Sequence, residues 1–401
     1  MEDDQRIIHL WSETLQAAYS KNATDIHIEP HQDKTLIRFR VDGSLFAFKQ
    51  LHATHHDHLS AHIKVLANLD IAEKRLPQDG RLSFYLKRES THLDCRIATV
   101  PTIYGEKIVV RLLTNTNQTL HIDHLQFDPW QLQQVKNALL SAQGLILITG
   151  PTGSGKTSTL YSCLTYLNNS TRNISTVEDP PEIRLAGINQ ISLNEKAGFY
   201  FPKALRALLR QDPDVIMIGE IRDFETAQIA LQAAQTGHLV LASVHTNNSV
   251  ATISRLHHLG CEKDVLANSL LLITAQRLVR KICQHCLLAS QPCNYCSNVG
   301  YIGRMAIHEV MPFDFTIRQL IQDGKHLYKA LSHAKDLGML DLWSQGMSEL
   351  NKVLQASKKL LLRSDKFYEF KRSTQLHNST EYASSIGYPA IKMPNDYSLH
   401  K

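Results

Sequence analysis

A glycine-rich loop, Gly150-Pro-Thr-Gly-Ser-Gly-Lys-Thr157, stands between an apolar run and a helix-compatible segment. The apolar run, residues 144–149, has the length of a short buried strand. Glycine allows the backbone to curl so that its N–H groups point at phosphate oxygens. The helix that follows presents the positive end of its dipole to the same place. Strand, loop and helix in this order predict a binding site for a nucleoside triphosphate.

The loop also supplies the side chains that such a site needs. Lys156 is expected to reach the terminal phosphates, and the Thr157 hydroxyl suits Mg²⁺. A chance glycine-rich turn is the alternative, and the strand, the lysine and the threonine together disfavour it. The predicted nucleotide contacts are Gly150, Pro151, Thr152, Gly153, Ser154, Gly155, Lys156, Thr157 and Ser158.

The composition bounds the class of protein. With 43% hydrophobic and 20% charged residues, the chain is typical of a soluble globular protein, and its length suggests about two or three domains. The net charge of +5 is mild and the charges are interspersed, so no nucleic-acid partner is expected. No apolar run approaches the roughly 20 residues of a membrane span, and the start is not a signal peptide. We therefore expect a cytoplasmic protein that contacts the membrane only through partners.

Changes of pattern along the chain predict an α/β protein with two folded domains. Residues 1–115 group helices and strands separately, which predicts a smaller α+β domain. A linker is expected over 116–129. Over 130–345 helices and strands alternate, which predicts a mostly parallel sheet covered by helices, including a helix over 263–282. Residues 346–401 form a poorly matched tail that is expected to be partly disordered.

Within the first domain, periodicity places the individual elements. Residues 5–20 carry apolar side chains at helical spacing, and residues 57–72 predict a second amphipathic helix. The Asp42-Gly43 pair predicts a tight turn at the end of a strand. Strand patterns cover residues 26–30, 35–43, 82–87, 91–98 and 107–113.

Two carboxylates stand where predicted strands of the second domain end. Residues 213–220 predict a strand that ends in Glu220, which would deliver a carboxylate to the Mg²⁺, through water because the glutamate arm is long. Glu178 ends the preceding strand and could orient and polarise the attacking water, since strand C-termini face the ligand crevice. The next residue, Asp179, is either part of this site or a turn residue before Pro180.

Histidine supplies one further candidate. His245 ends an apolar run, where an imidazole could bond the γ-phosphate and report hydrolysis. The chain has 21 histidines, so position rather than composition supports it. His238 begins the same strand and is the weaker candidate. The histidine-rich run at 55–58 is expected to be a solvated approach to a helix, not a metal site.

Four of the seven cysteines form two Cys-x-x-Cys pairs. In a cytoplasmic protein such pairs suggest a metal rather than disulfides. Four thiolates suit a tetrahedral structural Zn²⁺, with reduced free thiols as the alternative. The predicted zinc ligands are Cys283, Cys286, Cys293 and Cys296.

These blocks, in this order, resemble the secretion ATPase superfamily that powers type II secretion and type IV pilus assembly. The resemblance covers about residues 5–345 and extends into the first domain. It rests on the glycine loop, Val177-Glu-Asp-Pro180, residues 209–223, Ala234-Gln-Thr-Gly-His-Leu-Val-Leu-Ala-Ser-Val-His-Thr246, Ala23-Thr-Asp-Ile-His-Ile-Glu-Pro30, Arg38-Phe-Arg-Val-Asp-Gly43, Leu76-Pro-Gln-Asp-Gly-Arg81 and Pro101-Thr-Ile-Tyr-Gly-Glu-Lys107.

The resemblance implies a RecA-like ATPase domain and a homo-hexameric motor that binds ATP between its two domains. It implies that Glu178 prepares the water, that Glu220 is the Walker B glutamate and that His245 is the residue of the His box. First-domain arginines are expected to reach the γ-phosphate, and an ordinary surface arginine is the alternative for each. The candidates are Arg38 and Arg40, which share a strand face because they are two residues apart, together with Arg96 and Arg111.

The cysteine pairs favour an assembly motor over a retraction motor, because retraction motors of this family generally lack them. Only six residues separate the pairs, fewer than the family usually has. The chain is also expected to lack the additional amino-terminal domain with which many members bind a membrane-anchored platform partner. The expected function is an ATPase motor for assembly of a type IV pilus or competence pseudopilus at the inner membrane. The alternatives are a type II secretion ATPase and a non-hydrolysing nucleotide-binding scaffold; a nucleic-acid translocase would need a basic stripe that is absent.

Overall fold

The computed structural model of the chain describes residues 2–86, 88, 90–113, 120–285, 293, 295–296, 299–323 and 327–362. Cys286 and most of the predicted tail lie outside the described residues. The chain divides into two units: Met1–His124 with Leu160–Gly219, and Leu125–Thr159 with Glu220–Lys401. The domain boundaries expected from the sequence stay predictions.

The chain combines helices and strands, as expected for a mixed α/β protein. In chain order they are α1 (Glu2–Ser20), β1 (Asp25–Pro30), β2 (Lys34–Val41), β3 (Ser44–His52), α2 (His56–Leu66), β4 (Gln78–Leu86), β5 (Thr91–Thr102), β6 (Gly105–Leu113), α3 (Pro129–Leu139), β7 (Gly144–Thr149), α4 (Lys156–Leu167), β8 (Ile174–Glu178), β9 (Asn189–Ser192), α5 (Phe201–Leu208), β10 (Val215–Ile218), α6 (Phe224–Gln235), β11 (Leu239–Val244), α7 (Ser249–His258), α8 (Lys263–Ser269), β12 (Leu270–Ile282), β13 (Tyr301–Pro312), α9 (Phe315–Gln322), α10 (Leu327–Asp336) and α11 (Leu342–Leu362).

The first unit is built on a six-stranded antiparallel sheet, in the order β3-β2-β1-β6-β5-β4. The turn between β2 and β3 is formed by Asp42 and Gly43, whose φ angles of 48° and 85° are those of a tight hairpin turn. The predicted Asp-Gly turn is therefore confirmed. In the same unit β8 pairs in parallel with β9 and with β10.

One face of the six-stranded sheet is apolar because alternate residues of each strand point to it. Ile37 and Phe39 of β2 are buried there, and Trp11 and Leu15 of α1 belong to the same core. The second helix, α2, ends at Leu66 rather than at the predicted residue 72. The chain leaves the helix because Asn68 adopts a left-handed conformation with φ of 54°.

A buried ion pair joins α2 to the sheet. The Lys64 ammonium lies 2.8 and 2.9 Å from the two carboxylate oxygens of Glu106, and it also donates to the Glu73 carbonyl at 2.7 Å. The side chains are only 1% and 4% exposed. Each charge therefore depends on the other for compensation, because neither is solvated.

In the second unit, strands are ordered β13-β12-β7-β11. β7 pairs in parallel with β11 and β12, and β13 is antiparallel to β12. Parallel strands flanked by helices confirm the predicted mixed α/β class with a parallel sheet. No helix among the described residues is both long enough and apolar enough to cross a membrane.

The helix predicted over residues 263–282 is wrong beyond Ser269. Helix α8 ends there, and Leu270–Ile282 form β12, in which Leu272, Ile273 and Ala275 are buried. A continuous apolar run fits a buried strand as well as a helix, so periodicity alone could not separate the two. Pairing with β7 on one side and β13 on the other determines the strand.

We predict that Lys64→Met destabilises the protein by about 3–5 kcal/mol, because it leaves the Glu106 carboxylate buried without a counter-charge. Urea unfolding followed by circular dichroism measures this change. The double variant Lys64→Met/Glu106→Leu should recover most of the loss. Lys49→Met is the control: its pair with Glu13 is 39% and 46% exposed, so the effect should stay below about 1 kcal/mol. Equal losses for Lys64→Met and Lys49→Met would contradict the prediction.

Candidate functional site

The predicted phosphate-binding loop connects β7, whose residues are all buried, to the first turn of α4. Gly150, Gly153 and Gly155 have φ angles of 153°, 76° and 89°, which side-chain-bearing residues rarely adopt. Lys156 opens the helix, and its ammonium donates to the carbonyls of Gly150 at 2.9 Å and Pro151 at 3.2 Å. The loop therefore curls around its own lysine.

The remaining loop residues differ in how far their side chains are exposed. Thr157 is half-buried in the first turn of α4, and the hydroxyl of Ser154 is buried. The exposed positions are Pro151, Thr152, Gly153 and Ser158.

Gln276 of β12 supports this loop through hydrogen bonds of its side-chain amide. Its amide nitrogen donates to the Ser154 carbonyl at 2.7 Å, and its amide oxygen accepts from the Thr159 hydroxyl at 2.9 Å. A Cβ on Gly150 would lie 2.6 Å from the Gln276 carbonyl oxygen, so only glycine fits. Gln276 is 1% exposed, and its amide connects the loop at Ser154 with the first turn of α4 at Thr159. The sequence signal was a glutamine within an apolar run, and the mistaken helix prediction hid it.

The ends of β7 and β11 are tied together by threonine hydroxyls. The Thr149 hydroxyl donates to the Val244 carbonyl at 3.0 Å, accepts from the Thr246 backbone N–H at 3.0 Å, and lies 2.7 Å from the Thr246 hydroxyl. His245, which stands between Val244 and Thr246 in the chain, is thereby held beside the start of the glycine loop.

His245 Nε2 lies 3.4 Å from a carboxylate oxygen of Glu220, and the other oxygen of Glu220 is paired with Arg222. Burial and the nearby Lys156 ammonium lower the pKa of His245, although Glu220 opposes them. The lowered pKa favours the neutral imidazole, which can donate or accept a hydrogen bond. Three predicted site residues, Lys156, Glu220 and His245, thus come together in the second unit. His238, by contrast, bonds the Ala233 carbonyl at the end of α6.

Glu178 lies in the first unit at the end of β8, where it is 4% exposed. Its carboxylate accepts hydrogen bonds from the hydroxyl of Thr176 at 2.5 Å, from the amide of Gln190 at 3.1 Å and from the hydroxyl of Tyr161. Tyr161 and Gln190 were not predicted as site residues. They are 17 and 12 residues from Glu178 in the chain, so no local motif could indicate them.

The polar face of the antiparallel sheet carries a row of arginines. In the strand register Arg40 lies opposite Asp25, Asp25 opposite Arg111, Arg111 opposite Arg96, and Arg96 opposite Arg81. Directly paired residues share a face, so four guanidinium groups and one carboxylate form a line across β2, β1, β6, β5 and β4. Such a line is suited to a polyanion. Arg81 was not among the predicted residues, and only the register of β4 against β5 reveals it.

The predicted arginines differ in their partners. Arg38 makes a bidentate pair with Glu29, with an Nε–Oε2 distance of 2.7 Å and an Nη2–Oε1 distance of 2.9 Å. Burial raises the pKa of Glu29, but the bonds from Arg38 and Lys107 outweigh it and lower that pKa to about 2. Arg111 donates to Asp25 at 3.0 Å and remains 63% exposed, so it is accessible to an anion.

Arg96 lies at the centre of the cationic part of the row. Burial and the neighbouring Arg81 lower its pKa, while Glu182 and Asp179 raise it. These two carboxylates follow Glu178 in the chain. Within the first unit, the arginine row and the segment after Glu178 are therefore in electrostatic contact.

Three of the four paired cysteines cluster. The ligand atoms of Cys283, Cys293 and Cys296 lie within 4.8 Å of one another, and all three residues are buried. The Cys283 and Cys293 sulfurs are 3.8 Å apart, well beyond a disulfide bond. A Gly300 backbone N–H donates to the Cys296 sulfur at 3.3 Å. Among the described residues this is the one cluster of three or more side chains arranged to hold a metal ion.

The sequence of the chain is similar to those of known proteins. The family model of the type II/IV secretion system protein matches residues 1–361. The chain belongs to that family. It is 45% identical over 351 residues to the type II secretion system protein HxcR of Pseudomonas aeruginosa, covering 86% of this chain and 74% of that protein. It is 41% identical over 374 residues to the type IV pilus assembly ATPase PilB of Myxococcus xanthus, covering 87% of this chain and 66% of that protein. The chain is thus an ATPase of the secretion and pilus-assembly class.

A solved structure shows that the fold is shared. The ATPase DotB of Legionella pneumophila superposes with a TM-score of 0.68 at 21% identity, covering 88% of this chain and 96% of that one. At this identity the likeness extends to the fold alone.

We predict that Gln276→Leu weakens ADP binding roughly 10-fold, because the Ser154 carbonyl and the Thr159 hydroxyl lose their buried partner. Titration calorimetry on the purified protein measures the dissociation constant. Gln133→Leu, at an exposed position on α3, is the matched control and should leave it unchanged. An affinity within twofold of wild type for Gln276→Leu would show that this support is dispensable.

Proposed function

We propose that this chain is an ATP-hydrolysing motor that powers assembly of a type IV pilus or a competence pseudopilus. The observation that carries the proposal is the Lys156 ammonium held by the carbonyls of the Gly150–Gly155 loop, with the His245–Glu220 pair in the same unit. The 41% identity to a pilus assembly ATPase supports the choice of machine. In this proposal the domain with β7 and the glycine loop is RecA-like, and the first domain contributes arginines.

Each charged residue has a proposed role. The glycine loop N–H groups and Lys156 hold the β- and γ-phosphates, and the Thr157 hydroxyl binds Mg²⁺, which neutralises charge on the transferred phosphoryl group. Glu220 acts on the metal through water, and its present partners, Arg222 and His245, hold the carboxylate in place. His245 senses the γ-phosphate as a neutral imidazole.

Glu178 orients the attacking water, and the arginine row of the first sheet supplies positive charge for the γ-phosphate. The candidates are the four predicted arginines, together with Arg81, which the strand register adds. The exposed Arg111 and the central Arg96 are the strongest of them. The four predicted arginines are Arg38, Arg40, Arg96 and Arg111. Arginines that meet a transferring phosphoryl group accelerate the reaction by stabilising its charge. Arg38 is better suited to holding Glu29, because its Nε and Nη2 donors already serve that carboxylate.

A structural zinc ion fits the cysteine cluster. Four thiolates at about 2.3 Å from a tetrahedral Zn²⁺ are about 3.8 Å apart, which is the separation of the Cys283 and Cys293 sulfurs, 3.8 Å. We assign Cys283, Cys286, Cys293 and Cys296 as the ligands. The ion would close the loop between β12 and β13.

A type II secretion motor is the second candidate, favoured by the 45% identity to HxcR. Both candidates imply the same partners: further copies of this chain, in a homo-hexamer, and a platform protein of the inner membrane. Both place the protein in the cytoplasm at the membrane periphery. Nucleic acid is not proposed as a partner, because the net charge of +5 is small and two guanidinium groups of the arginine row, Arg40 and Arg111, are paired with Asp25.

A deletion strain tests the function. We predict that loss of the gene abolishes either pili and DNA uptake or secretion of exoproteins, and that wild type restores the lost function. Lys156→Ala and Glu178→Gln should not restore it. In binding assays Lys156→Ala should fail to bind ATP, whereas Glu178→Gln should bind it. In ATPase assays Glu178→Gln should turn over on the order of 100-fold more slowly than wild type. The controls Lys203→Ala and Glu225→Gln, at exposed positions, should behave as wild type. A deletion strain normal in pili, DNA uptake and secretion would sink the motor proposal.

Metal analysis tests the zinc. We predict about one zinc ion per chain in protein purified without chelators, and a substantial loss of zinc in Cys293→Ser because one of four thiolates is removed. Cys261→Ala, a buried cysteine outside the cluster, should retain the wild-type content. Wild-type protein that contains no zinc would exclude a zinc site.

A further inference from the structure

The Glu178 carboxylate has almost no acceptor capacity left. An ionised carboxylate offers about four lone-pair positions, two on each oxygen. Oε1 accepts from the Thr176 hydroxyl at 2.5 Å and from the Gln190 amide at 3.1 Å. Oε2 accepts from the Tyr161 hydroxyl. One position therefore remains, and it is on Oε2.

The direction of the Tyr161 hydrogen bond is set by its other partner. The same hydroxyl oxygen accepts the backbone N–H of Glu182 at 3.1 Å, so its single proton is directed to Glu178. Burial and the Glu178 carboxylate raise the pKa of Tyr161 above its usual range, so the hydroxyl stays protonated. Tyr161 is 1% exposed, and water does not compete for this bond.

Gln190 fixes the other side of the carboxylate. Its amide nitrogen is shared between Glu178 and the Ile183 carbonyl at 3.0 Å, while its amide oxygen accepts from the Leu185 backbone N–H at 2.7 Å. Tyr161 and Gln190 together tie the segment that follows Glu178 back onto the carboxylate. The side chain is therefore held in one rotamer.

We propose that Tyr161 is the positioning residue for hydrolysis: it leaves Glu178 with a single free acceptor on Oε2, so that the carboxylate binds one water in one direction. This inference rests on the proposed water-orienting role of Glu178. In the step it serves, the water oxygen bonds to the γ-phosphorus as the bond to the leaving ADP oxygen breaks, and a water proton passes toward Oε2.

Tyr161, which contacts Glu178, lies on the same helix as Lys156. Helix α4 begins at Lys156, and Tyr161 is little more than one turn later. One helix thus carries both the lysine proposed to hold the phosphates and the hydroxyl that holds Glu178. Phenylalanine at this position would keep the packing of the ring and lose only the two hydrogen bonds of the hydroxyl, to Glu178 and from Glu182.

Tyr161→Phe tests the proposal because it removes the hydroxyl and keeps the ring. We expect kcat for ATP hydrolysis to fall roughly 10-fold, as for loss of one charge-assisted hydrogen bond, with KM for ATP and the ADP dissociation constant within about twofold. Tyr166→Phe, on the same helix and 39% exposed, is the matched control and should keep wild-type kcat. Unchanged kcat in Tyr161→Phe, or a parallel loss of ADP affinity, would overturn the proposal.

The double variant Tyr161→Phe/Glu178→Gln separates positioning from a general structural role. If Tyr161 acts through Glu178, the double variant should turn over no more slowly than Glu178→Gln alone. If Tyr161→Phe lowers kcat by the same factor in the Glu178→Gln variant as in the wild-type protein, the hydroxyl acts elsewhere. Full turnover in Glu178→Gln would instead remove the proposed role of Glu178. Full turnover in Tyr161→Phe beside an inactive Glu178→Gln would remove only the role of Tyr161.

Discussion

The register of three parallel strands determines what surrounds the glycine loop. Thr149 of β7 lies level with Val244 of β11 and with Ala275 of β12. The residues that come next in the three strands are, in the same order, Gly150, His245 and Gln276. Because β7 and β11 end at a common edge, and β12 continues past it to Ile282, the loop, its histidine and Gln276 meet at one place. The hydroxyl contacts of Thr149 and the amide contacts of Gln276 follow from that single alignment.

The first unit uses antiparallel pairing to different effect. Cross-strand neighbours turn to the same face, so single arginines from four strands combine into one cationic row, with Asp25 as the lone carboxylate within it. The opposite face of the same strands is filled by apolar side chains against α1 and α2. The alternation of period two therefore gives one sheet a core side and an electrostatic side. The Lys64–Glu106 pair attaches α2 to this sheet by charge as well as by packing.

Local patterns were sufficient for some features and insufficient for others. The glycine loop, the Asp42-Gly43 turn and the paired cysteines are short motifs, and each could be predicted from its own residues. Gln276, Arg81 and Tyr161 act through partners 117, 15 and 17 residues away in the chain, so only strand register or helix packing reveals them. The helix predicted at 263–282 failed for the same reason: an apolar run does not disclose whether its neighbours are strands.

The pairing of β12 with β7 contains one irregularity, between Leu270 and Leu272. The extra residue, Leu271, packs where a side chain on Gly144 would stand, at 2.5 Å from such a Cβ. A strand shifted by one residue shows its opposite face. Leu271 takes up that shift, so the continuous pairing from Leu272 to Ala275 keeps Gln276 toward the glycine loop. Changes of length in the cysteine loop beyond Ile282 would not alter that phase. The position of Gln276 is therefore set by the pairing that begins at Leu272, and not by the residues at either end of β12.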